Sequence, residues 1–253
     1  MLRTKRLRII AGPNGSGKST LYDYLVKNHI FNDYHFINAD VLTKDLMDFL
    51  NLEYYPVNFV KDEFLAFLEK STFQNKLQFK LASKLNVEGA VISLIDKNFS
   101  EVSYISACLA EFLRHKMILE SDSSFAFETV FSHQSKLDEI RLAKENGYKV
   151  YLYFVATKAP LVNLERVQAR TSKGGHSVPA EKINERYIRS LSNAYNAMLL
   201  SDKAFFFDNT ITDVKSEYSF FAEKKDGALY MKNGSELPLW FSEHILGRFL
   251  SEP

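Results

Sequence analysis

The chain has 253 residues, of which 46% are hydrophobic and 25% are charged. A chain of this size buries roughly 70 to 75% of the surface that it exposes when unfolded, which predicts a globular protein with a sizeable core. Its 32 Lys and Arg residues balance 31 Asp and Glu residues. This balance excludes an overall field that would attract nucleic acid or an acidic membrane, so any anion site must be local.

Export and membrane signals are weak. The basic start MLRTKRLRII has too short an apolar run for a signal peptide, and no segment approaches the ~20 apolar residues of a membrane span. The single cysteine, Cys108, excludes an intrachain disulfide and is expected on the apolar side of a helix, in the core. We therefore expect a cytoplasmic protein without nucleic-acid or membrane partners.

The first predicted elements are the strand RLRIIAG and the helix KSTLYDYLV. The loop between them fits the pattern G-x-x-x-x-G-K-[ST], whose backbone N–H groups surround a phosphate chain at the N-terminus of a helix. A plain glycine turn is the alternative. The predicted nucleotide-binding residues are Gly12, Pro13, Asn14, Gly15, Ser16, Gly17, Lys18, Ser19 and Thr20.

Four further apolar runs predict parallel strands: HFINAD, SFAFET, KVYLYFVA and KAFFFDNT. Helical patterns separate them, which is typical of an α/β chain with right-handed crossovers. Ligands of such sheets gather outside the carboxyl ends of the strands. Asp40, Glu128 and Asn209 are therefore expected on the same rim as the phosphate loop.

Asp40 follows the second strand, where a carboxylate can accept a proton from an acceptor hydroxyl. Two alternatives stay open at this position: a cap of the following helix, or a contact to magnesium.

The segment between the second and third strands is too long for one crossover. We predict that residues 44–99 are a helical insertion, broken at Pro56. Tyr54, Tyr55 and Phe59 could stack on a base or sugar, and extra packing is the plainer alternative. A helix from Glu101 to Leu119 is expected to lead into the third strand.

Glu128 ends the aromatic third strand, with Thr129 and Ser132 beside it. A carboxylate at this place could hold magnesium or bind a substrate hydroxyl. The alternative is a capping or paired surface residue.

Four arginines follow the fourth strand on two predicted helices. Arg166 and Arg170 are one helical turn apart, a glycine loop at residues 174–176 follows, and the second helix bears Arg186 and Arg189. Guanidinium groups can stabilise the charge of a transferring phosphoryl group when such a lid closes. The alternative is a solvated face interspersed with Glu165, Glu181 and Glu185.

The chain ends in a predicted β-hairpin that turns at Asp226 and Gly227. The fold class is therefore α/β: a three-layer P-loop NTPase fold with a parallel five-stranded sheet, a helical insertion after strand 2 and a C-terminal hairpin. We expect one domain over residues 1–253, with the hairpin extension at 211–253.

Several segments together resemble the zeta toxin family of P-loop kinases, whose best-known members phosphorylate a sugar hydroxyl of UDP-N-acetylglucosamine unless an antitoxin intervenes. They cover about two thirds of the chain and are AGPNGSGKSTL, FINAD, SFAFETVFS, AKENGYKVYLYFVA, ERVQARTSKGGHSVPAEKINERYIRSLSNAY and FDNT. Residues 44–99 and those from 211 onward have no counterpart in the family core as these segments define it.

The resemblance implies a function and a role for each matching residue. ATP, Mg²⁺, a nucleotide-sugar substrate and an antitoxin would be the ligands and partners. In catalysis, Asp40 would act as the base, and Lys18, Arg170 and Arg186 would bind the phosphates. Magnesium would be held by Ser19 and Glu128. The substrate would be faced by Glu128, Thr129 and Ser132, and the adenine would be contacted by Arg166 and Asn209.

Two other functions stay open. The acceptor could be another hydroxyl, including a nucleic-acid end, or the chain could be a nucleotide-binding interaction protein that a partner keeps inactive.

Overall fold

A computed structural model describes residues 4–31, 35–172, 178–210, 219–234 and 236–251 of the chain. The strands in these residues are β1 (Arg6–Ala11), β2 (His35–Ile37), β3 (Leu50–Asn51), β4 (Leu85–Glu88), β5 (Val91–Leu94), β6 (Phe125–Thr129), β7 (Lys149–Ala156), β8 (Lys203–Asp208), β9 (Ser219–Lys225) and β10 (Ala228–Met231).

The helices in the same residues are α1 (Lys18–Lys27), α2 (Ala39–Leu46), α3 (Lys61–Glu69), α4 (Val102–Glu120), α5 (Ser135–Glu145), α6 (Pro160–Thr171), α7 (Ala180–Leu200), α8 (Leu239–Phe241) and α9 (Gly247–Ser251). Short 3-10 turns occupy Leu52–Tyr54, Gln74–Lys76 and Leu81–Lys84, and a π-helical turn, Ser242–Leu246, joins α8 to α9.

The chain divides into two compact units: Met1–Asp33 with Glu128–Pro253, and Tyr34–Phe127. The single domain expected over residues 1–253 stays a prediction.

In the first unit, the strands follow the order β10-β9-β8-β7-β1. β1, β7 and β8 are parallel, whereas β9 pairs antiparallel with β8, and β10 pairs antiparallel with β9. Leu7, Ile9 and Ile10 of β1 are fully buried, as expected for a parallel strand that is covered on both faces. Helix α6 packs against α7, which also contacts α5 and β7.

The C-terminal segment of the first unit packs onto the hairpin through aromatic side chains. Phe241 of α8 is fully buried, and its ring meets those of Phe206 and Phe221 edge-on at 5.0 and 4.9 Å. Such aromatic pairs add to the stabilisation that burial alone provides.

In the second unit, β2 pairs in parallel with residues Phe125 to Phe127 of β6. Helices α2 and α3 pack against α4, and β3, β5 and β4 form a small antiparallel sheet in the order β3-β5-β4.

The α/β fold class is confirmed, as are all five strands predicted from the apolar runs. The helix expected from Glu101 to Leu119 is α4, and Cys108 on it is buried. Burial raises the pKa of the Cys108 thiol to about 11. The predicted hairpin is also present, and both turn residues have positive φ angles, 51° at Asp226 and 80° at Gly227, as a tight hairpin turn requires.

Residues 44–99 are not purely helical, which corrects the expectation for this insertion. Helix α3 forms, and no helix crosses Pro56 among the described residues, but β3, β4 and β5 lie in the same segment. The sequences LNVE and VISL alternate between exposed and inward side chains, the period-2 pattern of a strand. Gly89, with a φ of 58°, turns the chain between them.

The aromatic residues of the insertion divide between core and surface. The ring of Phe59 packs on those of Phe64 and Phe112, and Tyr55 is buried, so both fit the packing alternative. Tyr54 is 63% exposed. Of the three predicted stacking residues, Tyr54 therefore has the exposure that stacking requires.

Within the described residues, none of the helices has the length and apolar character needed to cross a membrane.

Candidate functional site

The phosphate loop, residues 12–19, connects β1 to α1 and depends on glycine at two points. Gly12 and Gly15 have φ angles of 150° and 76°. A Cβ atom on Gly12 would lie 2.0 Å from the Val155 carbonyl oxygen, and one on Gly15 would lie 2.5 Å from that of Asn163. Both distances are far below van der Waals contact, so the loop closes on its neighbours only because these side chains are absent.

Gly17 ends the loop in the left-handed conformation, with a φ of 94°, and is the N-cap residue of α1. The first backbone N–H groups of a helix have no acceptor within the helix. Together with the helix dipole, they favour an anion at this end of α1.

Lys18, Ser19 and Glu128 meet where the loop enters α1. The Ser19 hydroxyl donates to Glu128 Oε2 over 2.9 Å, and Lys18 Nζ lies 3.8 Å from Glu128 Oε1. Lys18 Nζ also donates to the Pro13 carbonyl over 3.0 Å. Lys18 is only 7% exposed, so its charge is held in a partly dehydrated place where electrostatic interactions are strong.

Glu128 therefore lies beside the loop, on the rim where the sequence analysis expected it. Its side chain is 13% exposed, so the alternative of a paired surface carboxylate does not describe it. Two of its partners, Ser19 and Lys18, belong to the phosphate loop itself.

The loop after Glu128 is fixed by three hydrogen bonds around Phe131, which has a positive φ of 60° and is buried. The Phe131 N–H donates to Thr129 Oγ1 over 3.2 Å. From α7, Ser190 donates to the Val130 carbonyl and Asn193 to that of Phe131. A positive φ is costly for a bulky residue and persists only where its surroundings enforce it. The Thr129 side chain thus shapes this loop; its contact with a substrate, like that of Ser132, stays a prediction.

The two predicted arginine helices are α6 and α7, with Pro160 at the start of α6. Arg186 and Ser190 are four residues apart and share a face of α7, so the bond from Ser190 to Val130 places Arg186 towards the loop that follows Glu128. Arg189 instead forms an ion pair with Glu185 over 2.5 Å, with both side chains more than half exposed.

Arg186 is half-buried, and among the residues that the structure describes it makes no hydrogen bond or ion pair. The solvated alternative therefore fits Arg189 but not Arg186. Arg166 is half-buried and Arg170 is exposed on α6. The glycine loop that would complete a lid, including His176, lies outside the described residues.

Asp40 lies in the first turn of α2, in the second unit. The N-cap of this helix is Asn38, whose Oδ1 accepts from the Asp40 N–H over 2.8 Å. The capping alternative for Asp40 is therefore wrong, because Asn38 performs that role. Asp40 is exposed, and its carboxylate accepts no hydrogen bond from another described residue.

Two asparagines support the phosphate loop from outside. Asn209 Nδ2 donates to the Ser16 carbonyl over 2.9 Å, and Asn163 Nδ2 donates to the Asn14 carbonyl over 2.5 Å. Asn163 was missed by the sequence analysis. A signal existed, because Asn163 and Val167 are four residues apart on α6 and both are buried. An asparagine on the buried face of an amphipathic helix must find polar partners.

Comparison with known proteins identifies the surroundings of this site. The Zeta toxin family model matches residues 103–226. The match includes Glu128, both arginine helices and Asn209, and it begins after the phosphate loop. It also includes β9, which corrects the expectation that residues from 211 onward have no counterpart in the family.

An uncharacterized protein from Haemophilus influenzae is 33% identical over 63 residues, which cover 25% of this chain and 45% of that protein. Among solved structures, a chain of the AvrRxo1-ORF1:AvrRxo1-ORF2 complex with sulphate ions aligns with 91% of this chain at 18% identity and a TM-score of 0.52. The same complex with ATP gives 18% identity, 91% coverage of this chain and the same TM-score. A chain of the PezAT chromosomal toxin-antitoxin system of Streptococcus pneumoniae covers 83% at 15% identity, with a TM-score of 0.49.

This chain spans 45% of the Haemophilus protein, 62% of the matched AvrRxo1 chain in the sulphate complex, 61% of that in the ATP complex and 70% of the PezAT chain. At such low identity the AvrRxo1 structures show a shared fold. The family match over residues 103–226 and the shared α/β fold therefore support the resemblance of this chain to the zeta toxin family of P-loop kinases.

Proposed function

We propose that the protein is an ATP-dependent phosphotransferase that transfers the γ-phosphoryl group of ATP to a sugar hydroxyl of UDP-N-acetylglucosamine. The observation that carries the proposal is the cluster of Lys18, Ser19 and Glu128 at the phosphate loop. The nucleotide sugar is the acceptor that the family resemblance implies. One solved neighbour of the same fold is a complex with ATP.

The loop fits a phosphate chain by its own chemistry. The Ser16 side chain is fully buried, and its hydroxyl has no hydrogen-bond partner among the described residues. A buried hydroxyl without a partner costs free energy. A phosphate oxygen would accept its hydrogen bond, and Lys18 would balance the charge.

The residues present also fit magnesium. The Ser19 hydroxyl and the Glu128 carboxylate, 2.9 Å apart, are the hard oxygen ligands that this ion prefers. In the described part of the chain, no three His, Cys, Asp or Glu side chains are grouped so that they could hold a metal. These two residues would therefore share the ion with phosphate oxygens, as is usual for magnesium. When bound, the ion supplies charge neutralisation at the phosphates.

The remaining residues are assigned their roles in the transfer from their charge and from the family resemblance. Asp40 would accept the proton of the attacking hydroxyl, whose oxygen bonds to the γ-phosphorus while the bond to the β-phosphate oxygen breaks and ADP leaves. Arg170 and Arg186 would stabilise the negative charge on the transferring group. Arg166 would cover the adenine, and Thr129 and Ser132 would face the acceptor.

The test is transfer of label from γ-labelled ATP, with magnesium, to a panel of nucleotide sugars, followed by mass spectrometry of the product. We expect phosphorylated UDP-N-acetylglucosamine with the wild type and no labelled product with Lys18→Ala. Lys27→Ala is the matched control, since Lys27 lies exposed in the last turn of the same helix. Absence of label on UDP-N-acetylglucosamine would contradict the proposed acceptor.

The same assay separates the other candidate functions. Label on a different hydroxyl, such as a nucleic-acid end, would identify another acceptor. ATP binding without any transfer would favour a nucleotide-binding interaction protein. An antitoxin partner is part of the proposal through the zeta toxin family match, and the test is whether such a partner suppresses the transfer.

A further inference from the structure

The two asparagines beside the phosphate loop donate to carbonyls at defined points of its backbone. Asn163 bonds to the carbonyl of Asn14, and Asn209 bonds to that of Ser16. We propose that both are positioning residues that hold the loop in its anion-binding conformation before any nucleotide arrives. The inference rests on the proposed binding of a phosphate chain by this loop.

The physical reason lies in the peptide bond. A trans peptide unit is planar, and its C=O and N–H point in opposite directions. The Asn14 carbonyl shares its peptide unit with the N–H of Gly15, and the Ser16 carbonyl shares its unit with the N–H of Gly17. When the side-chain amide of Asn163 or Asn209 binds one of these carbonyls from outside the loop, the N–H of the same peptide unit therefore points away from that asparagine. These N–H groups belong to the set that the phosphate-loop motif directs at the anion.

Asn163 is itself held in place, so it can act as a rigid support. The Thr157 hydroxyl donates to Asn163 Oδ1, and the Tyr187 hydroxyl donates to the Thr157 carbonyl over 2.6 Å. Asn163 and Thr157 are fully buried. This chain of bonds connects α7, through the end of β7 and α6, to the phosphate loop.

Asn209 is supported at the ends of β7 and β8. Its N–H donates to the Ala156 carbonyl over 2.8 Å, and the neighbouring Asp208 accepts a hydrogen bond from the Trp240 indole over 2.9 Å. The side-chain amide of Asn209 is thus already engaged with the loop. This geometry favours a loop support over the adenine contact that the family resemblance implies for Asn209.

The two roles of Asn209 predict different nucleotide dependences. A residue that contacts the base affects ATP and leaves inorganic tripolyphosphate unaffected. A residue that supports the loop affects every ligand that carries the phosphate chain, and by the same factor.

The experiment measures dissociation constants of tripolyphosphate, ATP and GTP, each with magnesium, by calorimetry. We expect Asn163→Ala and Asn209→Ala to weaken all three ligands about tenfold, equivalent to about 1.4 kcal/mol. The matched control is Asn146→Ala, which removes an amide-to-carbonyl bond of 2.8 Å at the end of α5 in the same unit. The control should leave all three constants unchanged.

Should Asn163→Ala fail to fold, Thr157→Val keeps Asn163 and removes the hydroxyl that donates to it and that also lies 3.1 Å from the Ala159 carbonyl. This variant should weaken the three ligands equally but by a smaller factor. Unchanged constants in the folded asparagine variants would overturn the inference, as would a loss confined to ATP and GTP for Asn209→Ala. A wild-type protein that binds none of the three ligands would instead overturn the proposed function, and the inference with it.

Discussion

The backbone carbonyls of the phosphate loop and the guanidinium of Arg186 on α7 differ in whether the protein itself supplies their partners. In the loop, the carbonyls of Pro13, Asn14 and Ser16 each accept a hydrogen bond from a side chain. On α7, Arg186 is half-buried without a hydrogen bond or ion pair to any residue in the described ranges.

This difference distinguishes two kinds of contribution to one reaction. Groups that fix geometry are satisfied within the protein, so the loop is preorganised and little ordering remains to be done when a ligand binds. A partly dehydrated guanidinium without a counter-ion is unfavourable by itself. An incoming phosphate would relieve that cost, and a transition state that carries more charge on the same oxygens would relieve it further.

The largest effect is expected from substitution of Asp40, because neither the phosphate loop nor Arg186 of α7 supplies a general base. We expect Asp40→Asn to lower phosphoryl transfer by about 100- to 10,000-fold, the range typical of a general base, and to leave ATP affinity nearly intact. Turnover and calorimetry measure the two quantities.

Stability provides the control for Asp40. Since Asn38 is the cap, Asp40→Asn should change the free energy of unfolding by less than about 1 kcal/mol, whereas Asn38→Ala should lower it by about 1 kcal/mol. A variant that kept more than about a tenth of wild-type turnover would contradict the base role.

On α7, the expected contribution to turnover depends on Arg186. Removal of one group that stabilises transition-state charge typically costs about 100- to 1,000-fold in turnover. We expect a loss of this order for Arg186→Ala, with a smaller change in ATP affinity, because the charge develops only in the transition state. Arg170→Ala should act in the same direction.

Arg189→Ala is the matched control for Arg186, since it lies three residues away on the same helix and is paired with Glu185 at the surface. It should leave turnover unchanged. Equal turnover in the Arg186 and Arg189 variants would indicate that both arginines are surface charges, and it would contradict the role of Arg186 in the transition state.

In the phosphate loop, the expected contribution to ATP affinity depends on Lys18. A hydrogen bond to a charged group contributes about 1.5 to 3 kcal/mol, so Lys18→Ala should weaken ATP binding by about 10- to 100-fold. Calorimetry with and without magnesium measures the affinity. An unchanged dissociation constant would contradict the assignment of residues 12–19 to phosphate binding.

The fold and the loop could be predicted from sequence because their signals are local. The glycine spacing between β1 and α1 specifies the loop, and continuous apolar runs mark strands that are buried on both faces. The strands β4 and β5 were missed because a four-residue alternation is a weak signal within a segment that also suits helices.

The supports of the site could not be predicted from local signals. The bond from Asn163 to Asn14 joins residues 149 positions apart, and only the packing of α6 against the loop brings them together. Likewise, Asn38 and Asp40 are both acceptable helix caps by residue type. The backbone of Asn38, which is extended with a φ of −134°, decides between them.

Glu128 links the two regions and gives the smallest expected effect. Its carboxylate accepts from Ser19 and faces Lys18 in the loop, while α7 holds the backbone that follows it through Ser190.

Glu128→Gln keeps the size of the side chain and an oxygen that can accept from Ser19, but it removes the negative charge. We expect the magnesium concentration that gives half-maximal transfer to rise about tenfold, with a modest change in turnover at saturating magnesium. Titration of the transfer rate with magnesium measures this shift, and Glu139→Gln, on α5, provides a comparison at another carboxylate of the same unit. If the magnesium dependence of the Glu128 variant matched that of the wild type, the carboxylate would serve only to orient Ser19 and Lys18, and the loop alone would account for metal binding.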